Sequence, residues 1–434
     1  MQIPYTKRTL ANGLDVIVHE DHQLPMVAVN LWYHVGSKNE RLGRTGFAHL
    51  FEHLMFEGSA HHDRGYFPPL QRAGALLNGS TNADRTNYWE VVPTGALELA
   101  LWMESDRMGY LLPALTEHKF NNQRDVVLNE RRQNYENRPY GLAGIALSSA
   151  MYAPEHPYNW PTIGSAEDLR AATLDLVREF FQTYYHPANA SLSLAGDIET
   201  EQAFELAEKY FGELPAGPPV AAVTHAASLS ISRDLVLEDR VELPRLYMSW
   251  HSPAMFGEDD AELDIVADVL AHGKTSRLYK TLVYERRIAT DVSAYQHSRE
   301  MSGLFQVACT AAAGVELKDL HRVVLDAIAE MAVGGPTAAE LERGVAQTEA
   351  QFIYRLQTIG GFGGKGDQLN AYNTFAGSPG YFAEDRQRYL GVTSATAAAA
   401  ADRWLVKAPM VTLSVVPRGK RNLALPGAVE VSVS

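Results

Sequence analysis

The succession of predicted strands and helices occurs twice along this chain of 434 residues. Each half, of about 200 residues, begins with a strand, continues through helices and further strands, and closes with a strand. Between the halves, Leu214–Ala227 is rich in Pro and Ala and poor in charge, which is typical of a connection between compact units. The repetition predicts an α+β fold of two homologous domains, each a mainly antiparallel sheet with helices packed on one face. We place these domains at residues 1–213 and 236–434, with a linker at 214–235.

The composition limits the partners and cofactors of the chain. Its 38 Lys and Arg residues against 52 Asp and Glu residues give a net charge of −14, which argues against nucleic acid as the main partner. The single cysteine, Cys309, excludes an internal disulfide framework and a zinc site built on several thiolates. No apolar run reaches the roughly 18 residues of a membrane span. The chain also lacks a signal-peptide core, so we expect a soluble protein, cytoplasmic or, if a leader has been removed, periplasmic.

The segment Gly46–Phe56 (GFAHLFEHLMF) is the most informative stretch of the sequence. On a helix, His49 and His53 project from one face about one turn apart, so that both imidazoles can reach one metal ion. Glu52 can lie beside that ion without being forced to bind it. Each imidazole could instead cap a carbonyl or lie in water. The almost wholly apolar context makes such groups costly unless they are paired or bound to a metal.

A catalytic zinc usually takes three protein ligands and one water, so a third ligand should come from another element. The best candidate is Glu130, in the predicted helix Thr116–Asn137. On that helix Gln123, Glu130 and Asn134 fall on one stripe. Because two arginines follow it, Glu130 would by spacing alone also fit a solvated surface charge.

The string His49-x-x-Glu52-His53, followed after 76 residues by Glu130, resembles the inverted zinc-binding motif of the inverzincins. These are the M16 metallopeptidases, which include pitrilysin, insulysin and mitochondrial processing peptidase. The resemblance implies a LuxS/M16 metallopeptidase-like fold and a short-chain, M16B-like subunit. It also implies that His49, His53 and Glu130 bind one Zn²⁺ and that Glu52 is the general base. Further stretches that resemble the family lie in both halves, at Gly43–Gly58, Asn78–Tyr88, Tyr184–Asp197 and Leu270–Tyr279.

The function implied by this resemblance is that of a zinc-dependent endopeptidase or oligopeptidase subunit. It would cleave unfolded peptides in an enclosed chamber, with a metal-activated water as nucleophile. The alternative is a non-catalytic structural subunit of a larger complex, as found among relatives that have lost zinc ligands. A zinc hydrolase acting on something other than peptides is a third hypothesis. The first is favoured because this chain keeps all three ligands and the base.

Substrate contacts are predicted beside the zinc. Leu76–Glu90 resembles the family's strand and loop to which a peptide adds as an extra strand through main-chain hydrogen bonds. A turn built from Asn and Gly is the alternative interpretation of this stretch. Many relatives have a second Glu two turns before the zinc-binding one, where this chain has Gln123, which can hydrogen-bond near a ligand but adds no charge. The predicted substrate contacts are Asn78, Gly79, Ser80, Thr81 and Asn82.

The second half departs from the family pattern at one place. Complete relatives carry there an Arg and a Tyr, seven residues apart, that hold the substrate near the zinc. In the corresponding stretch, Leu282–Thr290, those places hold Val283 and Thr290. We therefore predict a heterodimer with a homologous M16 subunit that supplies the Arg/Tyr pair. A homodimer is the alternative.

Overall fold

The computed structural model describes residues 1–433, which form two six-stranded sheets and the helices that cover them. The strands in the described residues are β1 Thr6–Thr9, β2 Asp15–Glu20, β3 Met26–Tyr33, β4 Leu76–Thr81, β5 Thr86–Pro93, β6 Ala190–Gly196, β7 Arg233–Asp239, β8 Arg245–Ser252, β9 Ala289–His297, β10 Gly303–Ala311, β11 Met410–Pro417 and β12 Val429–Glu430. The α-helices in the same range are α1 Phe47–Leu54, α2 Phe67–Arg72, α3 Leu97–Ala114, α4 Glu117–Arg131, α5 Ala143–Met151, α6 Ala166–Ala171, α7 Leu174–Tyr184, α8 Thr200–Phe211, α9 Asp260–Ala271, α10 Leu317–Gly334, α11 Ala338–Arg355, α12 Lys365–Phe375, α13 Phe382–Leu390 and α14 Ser394–Ala401.

The two sheets repeat one strand order. The first runs β1-β2-β6-β3-β5-β4 and the second β12-β7-β11-β8-β10-β9. In the first sheet only β2 and β6 pair in parallel, and in the second β11 pairs in parallel with β7, and β7 with β12; the other pairs are antiparallel. The predicted α+β fold of two mainly antiparallel sheets with helices is thereby confirmed.

The compact units of the chain are discontinuous in sequence. The first comprises Met1–Asn129, Trp160–Val223 and Gln351–Glu384. The second comprises Glu130–Asn159, Thr224–Ala350 and the segment from Asp385 onward. The predicted boundary at 213 follows the last strand of the first sheet, but the predicted start of the second domain at 236 falls within β7, and residues 212–232, all of them described, form no helix or strand. The predicted domain limits along the sequence stay a prediction.

In the first unit, the two faces of the sheet have different chemistry because side chains alternate along each strand. The apolar face carries Tyr33, whose ring lies 6.2 Å from that of Tyr88 and 4.9 Å from that of Tyr185. Phe51 of α1 packs on the same cluster, its ring 5.1 Å from that of Tyr185. This aromatic contact fixes which side of α1 is buried.

The opposite face of the first sheet is polar and is covered by α12. Trp32 and Asn30 alternate with the apolar residues of β3, and Asn87 lies opposite Trp32 on β5. The Asp367 carboxylate of α12 accepts hydrogen bonds from Trp32 Nε1 at 2.9 Å, Asn87 Nδ2 at 3.1 Å and Asn30 Nδ2 at 3.4 Å. Asn370 Nδ2 donates to the Asn30 carbonyl at 2.8 Å. A helix from late in the sequence thus completes the first unit.

The second unit has the same kind of arrangement. Met248 and Trp250 of β8 belong to its apolar core. Their neighbour His251 points to the other face, where its Nε2 lies 2.9 Å from the carbonyl oxygen of Met151, at the end of α5. A helix from early in the sequence is therefore part of the second unit.

The predicted element boundaries differ from the structure at a few places. The sequence of Ser165–Tyr185 predicts one helix, but two are present, because Ala172 is extended and Thr173 caps the second through its side chain. The predicted helix Thr116–Asn137 is α4 as far as Arg131 and then widens into a π-helical turn. No helix in the described part of the chain is long and apolar enough to cross a membrane.

Candidate metal centre

Helix α1 has one buried apolar face and one half-buried polar face. Leu50, Phe51 and Leu54 are completely buried. His49, Glu52 and His53, at spacings of three and four residues, are half-buried and share the opposite side of the helix. Because Phe51 is packed into the core, the side chains of His49, Glu52 and His53 lie together on the other side of the helix.

The structure brings Glu130 to the two imidazoles. One candidate ligand atom from each of His49, His53 and Glu130 can be chosen so that all three lie within 4.8 Å of one another. The two imidazole rings have centroids 4.8 Å apart and are inclined at 83°. Glu130 belongs to α4, a single continuous helix whose residues up to Asn129 lie in the first unit. Its carboxylate also accepts a hydrogen bond of 3.4 Å from Asn134 Nδ2.

The donor set fits zinc. Two imidazole nitrogens and one carboxylate oxygen form a common ligand set of catalytic zinc, which keeps a further position for water or substrate. One other group of potential ligands occurs in the described residues, formed by Glu20, His22 and Glu199, and all three are exposed. The half-buried group on α1 and α4 is thus the candidate metal centre.

Glu52 lies among aromatic and cationic neighbours. Burial raises the pKa values of the Tyr88 and Tyr185 hydroxyls, and the nearby negative charge of Glu52 adds to that increase. Burial lowers the pKa of the Arg85 guanidinium, while the charges of Asp367 and Glu52 oppose this change. The Glu52 carboxylate therefore lies near the β4–β5 hairpin, to which Arg85 and Tyr88 belong.

That hairpin places β4 at the edge of the first sheet, as the last strand of the order among the described residues. Gly79 packs closely on the segment after α1, because an added Cβ would lie 3.1 Å from Phe56 Cζ. Ser80 Oγ donates to Asn87 Oδ1 at 2.7 Å, and Arg85 Nη1 donates to the Ser80 carbonyl at 2.9 Å.

The remaining predicted contacts have local partners. Asn78 Oδ1 accepts a hydrogen bond of 2.8 Å from the Gly79 amide, and Thr81 Oγ1 lies 3.3 Å from Thr86 Oγ1. Asn82 forms the turn, where its side-chain oxygen accepts from the amides of residues 84 and 85. For Asn82, the turn interpretation describes what the side chain does in this structure.

Gln123 lies on the stripe of α4 predicted for it. Its side-chain amide donates a hydrogen bond to the Glu57 carboxylate, in the segment that follows α1. Lys119 pairs with Asp63 one turn earlier on α4. Gln123 therefore helps to hold α4 against the region that carries the two imidazoles.

Two carboxylates near the start of α1, the buried Glu40 and the half-buried Asp168, were missed in the sequence. Glu40 accepts hydrogen bonds from the amides of Gly46 and Ala48. Asp168 accepts from the amide and the hydroxyl of Thr45. Glu40 stands only six residues before Gly46, but no helical or strand period connects the two.

Comparison with known proteins places the fold in one class, that of the M16 peptidases. The model described as Insulinase (Peptidase family M16) matches residues 15–161, and that described as Peptidase M16 inactive domain matches residues 171–348. The chain belongs to the M16 peptidase family. The first match contains the candidate metal centre.

Among curated relatives, the chain is similar to the zinc protease PqqE of Helicobacter pylori, with 29% identity over 356 residues, 81% of this chain and 80% of the relative. It is also similar to a probable mitochondrial-processing peptidase subunit beta of Arabidopsis thaliana, with 22% identity over 75% of this chain and 62% of the relative. A solved protease from Helicobacter pylori has a TM-score of 0.88 and 26% identity, and covers 96% of this chain and 100% of its own. A peptidase M16 inactive domain from Pseudomonas fluorescens shares the fold, with a TM-score of 0.85, 21% identity, and coverage of 95% and 98%.

Proposed function

We propose that this chain is a zinc-dependent endopeptidase or oligopeptidase subunit that cleaves unfolded peptides. The observation that carries the proposal is the convergence of His49, His53 and Glu130 within 4.8 Å, with Glu52 on the same face of α1. The relatives that are named zinc proteases support it. We assign one Zn²⁺ per chain to the two imidazoles and the Glu130 carboxylate.

When bound, zinc supplies a Lewis acid that polarises a peptide carbonyl and makes a bound water more acidic. Glu52 is the general base. Its carboxylate accepts the proton of the attacking water and passes it to the nitrogen of the departing amine. Because Glu52 shares the α1 face with the two imidazoles, no separate element has to position the base.

The substrate binds as an added strand along the edge of β4. Main-chain hydrogen bonds to an edge strand tolerate many side chains but require an extended peptide. Arg85 and Asn87 fix Ser80 from within the hairpin, so that the edge strand is held rigid beside the base. This mode of binding selects for unfolded peptides rather than for one sequence.

We further propose that the active assembly is a heterodimer. Val283 and Thr290 stand where complete relatives carry Arg and Tyr, so a homologous subunit has to supply that pair. Strong peptidase activity of the isolated chain would contradict the heterodimer while leaving the zinc peptidase assignment intact.

The deciding experiment combines metal analysis with a cleavage assay on the purified chain, alone and with a co-purified partner. We expect about one zinc per chain, in keeping with a single three-ligand site, and cleavage of extended peptides that stops when Glu52 is changed to Gln. A chain that binds no zinc under metal-replete conditions would contradict the proposal. A chain that binds zinc but cleaves no peptide with any homologous partner would show a structural subunit instead.

A further inference from the structure

The first turn of α1 begins at a residue that cannot cap it. The four first amides of a helix lack intrahelical acceptors, and the side chain of the N-cap residue usually provides one. The N-cap residue of α1 is Gly46, which has no side chain and adopts φ +90. An added Cβ at Gly46 would lie 2.9 Å from the Ile163 carbonyl oxygen. No Ser, Thr, Asp or Asn could replace this glycine without a clash, so the acceptor has to come from elsewhere.

Glu40 supplies that acceptor from outside the helix. Its Oε2 accepts the Gly46 amide at 2.9 Å, and its Oε1 accepts the Ala48 amide at 2.8 Å. The residue is 6% exposed. Both carboxyl oxygens are thus used on the first turn of one helix, at its positive end, where an acidic group is most favourable.

The bonded amides stand directly beside a proposed metal ligand. Ala48 precedes His49, which lies in the first turn of α1, whereas His53 lies in the last. Loss of the cap would let the first turn fray, and His49 would then move relative to His53. Asp168 holds Thr45, the residue before the N-cap, and therefore cannot replace Glu40 within the helix.

We infer that Glu40 is a positioning residue for the metal centre, which holds the first turn of α1 so that the two imidazoles are arranged to bind zinc before the ion arrives. The inference rests on the proposed function, because it assigns zinc to His49 and His53. A ligand set that is already ordered binds its ion more tightly, since less conformational entropy is lost on binding.

The test is the zinc dissociation constant of the full-length protein, measured by competition with a chromophoric chelator. We expect Glu40→Gln to raise this constant at least tenfold, because an amide turns an N–H towards one of the two helix amides. Glu40→Asp, which keeps the carboxyl group but is one methylene shorter, should give an intermediate increase. The matched control is Glu179→Gln, an exposed carboxylate near Arg44, for which we expect a change of less than twofold.

Melting temperatures of the apo and zinc-loaded proteins separate positioning from general stabilisation. If Glu40 positions the ligands, Glu40→Gln should lower the melting temperature of the zinc-loaded protein by more than that of the apo protein. If Glu40→Gln lowers both melting temperatures equally and leaves the zinc dissociation constant within twofold of the wild-type value, the inference is wrong. If wild-type protein binds no zinc, the proposed function fails instead.

Hydrogen–deuterium exchange tests the inference on the wild-type protein, so this test does not depend on whether a variant folds. The amides of Gly46 and Ala48 should exchange slowly with deuterium in the apo protein, although neither has an acceptor within its own helix. Fast exchange at both amides would overturn the inference.

Discussion

The indole Nε1 of Trp32 donates a hydrogen bond of 2.9 Å to the Asp367 carboxylate, across 335 positions of the sequence. The same carboxylate accepts from Asn87 and Asn30, and its second oxygen accepts the Gly363 amide at 2.8 Å. One buried acid therefore satisfies donors from β3, from β5 and from its own loop. Together with Asn370, it attaches α12 to the first sheet.

Asp367→Ala should destabilise the first unit by at least about 2 kcal/mol, because each buried polar group left without a partner costs roughly 1–3 kcal/mol. Urea denaturation followed by tryptophan fluorescence gives the free energy of unfolding. The exposed Glu384 of the neighbouring helix α13 provides the control, and Glu384→Ala should change that free energy by less than about 0.5 kcal/mol. Equal effects of the two substitutions would contradict the role given to Asp367.

Glu52→Gln should leave zinc binding in place and reduce peptide turnover roughly 10²–10⁴-fold, the usual contribution of a general base. The amide keeps the shape of the side chain but cannot accept the proton. Steady-state cleavage and metal content are measured on the same preparation. Undiminished turnover would remove Glu52 from the role of base, and a loss of zinc would make it a ligand.

Glu130→Gln should lose zinc, because a neutral amide is a much weaker ligand than a carboxylate. Metal content after dialysis checks this prediction. Asp125→Asn removes an exposed carboxylate from the same helix and should keep the full metal content. Chelation of the wild-type protein should likewise abolish cleavage, and added Zn²⁺ should restore it. Full zinc content in Glu130→Gln would exclude Glu130 as a ligand.

The second unit should lose stability as the pH falls from about 6.5 to about 4. Burial lowers the pKa of His156 to about 4, helped by the charges of His225 and Arg299. Burial lowers the pKa of His251 to about 4 as well, against the opposing effect of the Met151 carbonyl. Both imidazoles stay neutral in the folded protein but take up protons in the unfolded chain. The stabilisation is therefore complete above pH 6.5 and is lost as the pH falls towards 4.

The measurement is the free energy of unfolding of wild type and His156→Asn as a function of pH. The asparagine oxygen can replace Nδ1, which accepts the Tyr158 amide at 3.0 Å, but it does not titrate. The variant should show a shallower pH dependence between pH 6.5 and 4. His118→Asn, at an exposed position of α4, should retain the wild-type slope. Equal slopes for wild type and His156→Asn would contradict the prediction.

Features that depend on the regular spacing of residues along one helix or strand could be predicted from the sequence. The spacing of His49, Glu52 and His53 predicts one helix face, and the structure has that face. Glu130 could be connected to it only through the family resemblance, because a glutamate followed by two arginines fits a surface charge equally well. The repetition of the two halves predicts two similar sheets, but it does not give the order of the strands within them.

Contacts between residues that are not related by a helical or strand spacing could not be predicted from the sequence. Glu40 acts on Gly46 through a loop, and its use as a cap depends on the Ile163 carbonyl that forbids a side chain at position 46. Asp367 meets Trp32 through packing across most of the chain. By contrast, the start of a second helix after Thr173 could have been predicted from the sequence, since threonine is a good N-cap residue.

The late segment that completes the first unit limits how the protein can be divided. A fragment that stops at residue 223 would contain every strand of the first sheet and the two histidines, yet Asn30, Trp32 and Asn87 would face water instead of Asp367. Expression of such a half is therefore expected to give aggregation or a poorly folded product. Shuffling of halves between homologues would have to transfer residues 351–384 together with the amino-terminal piece.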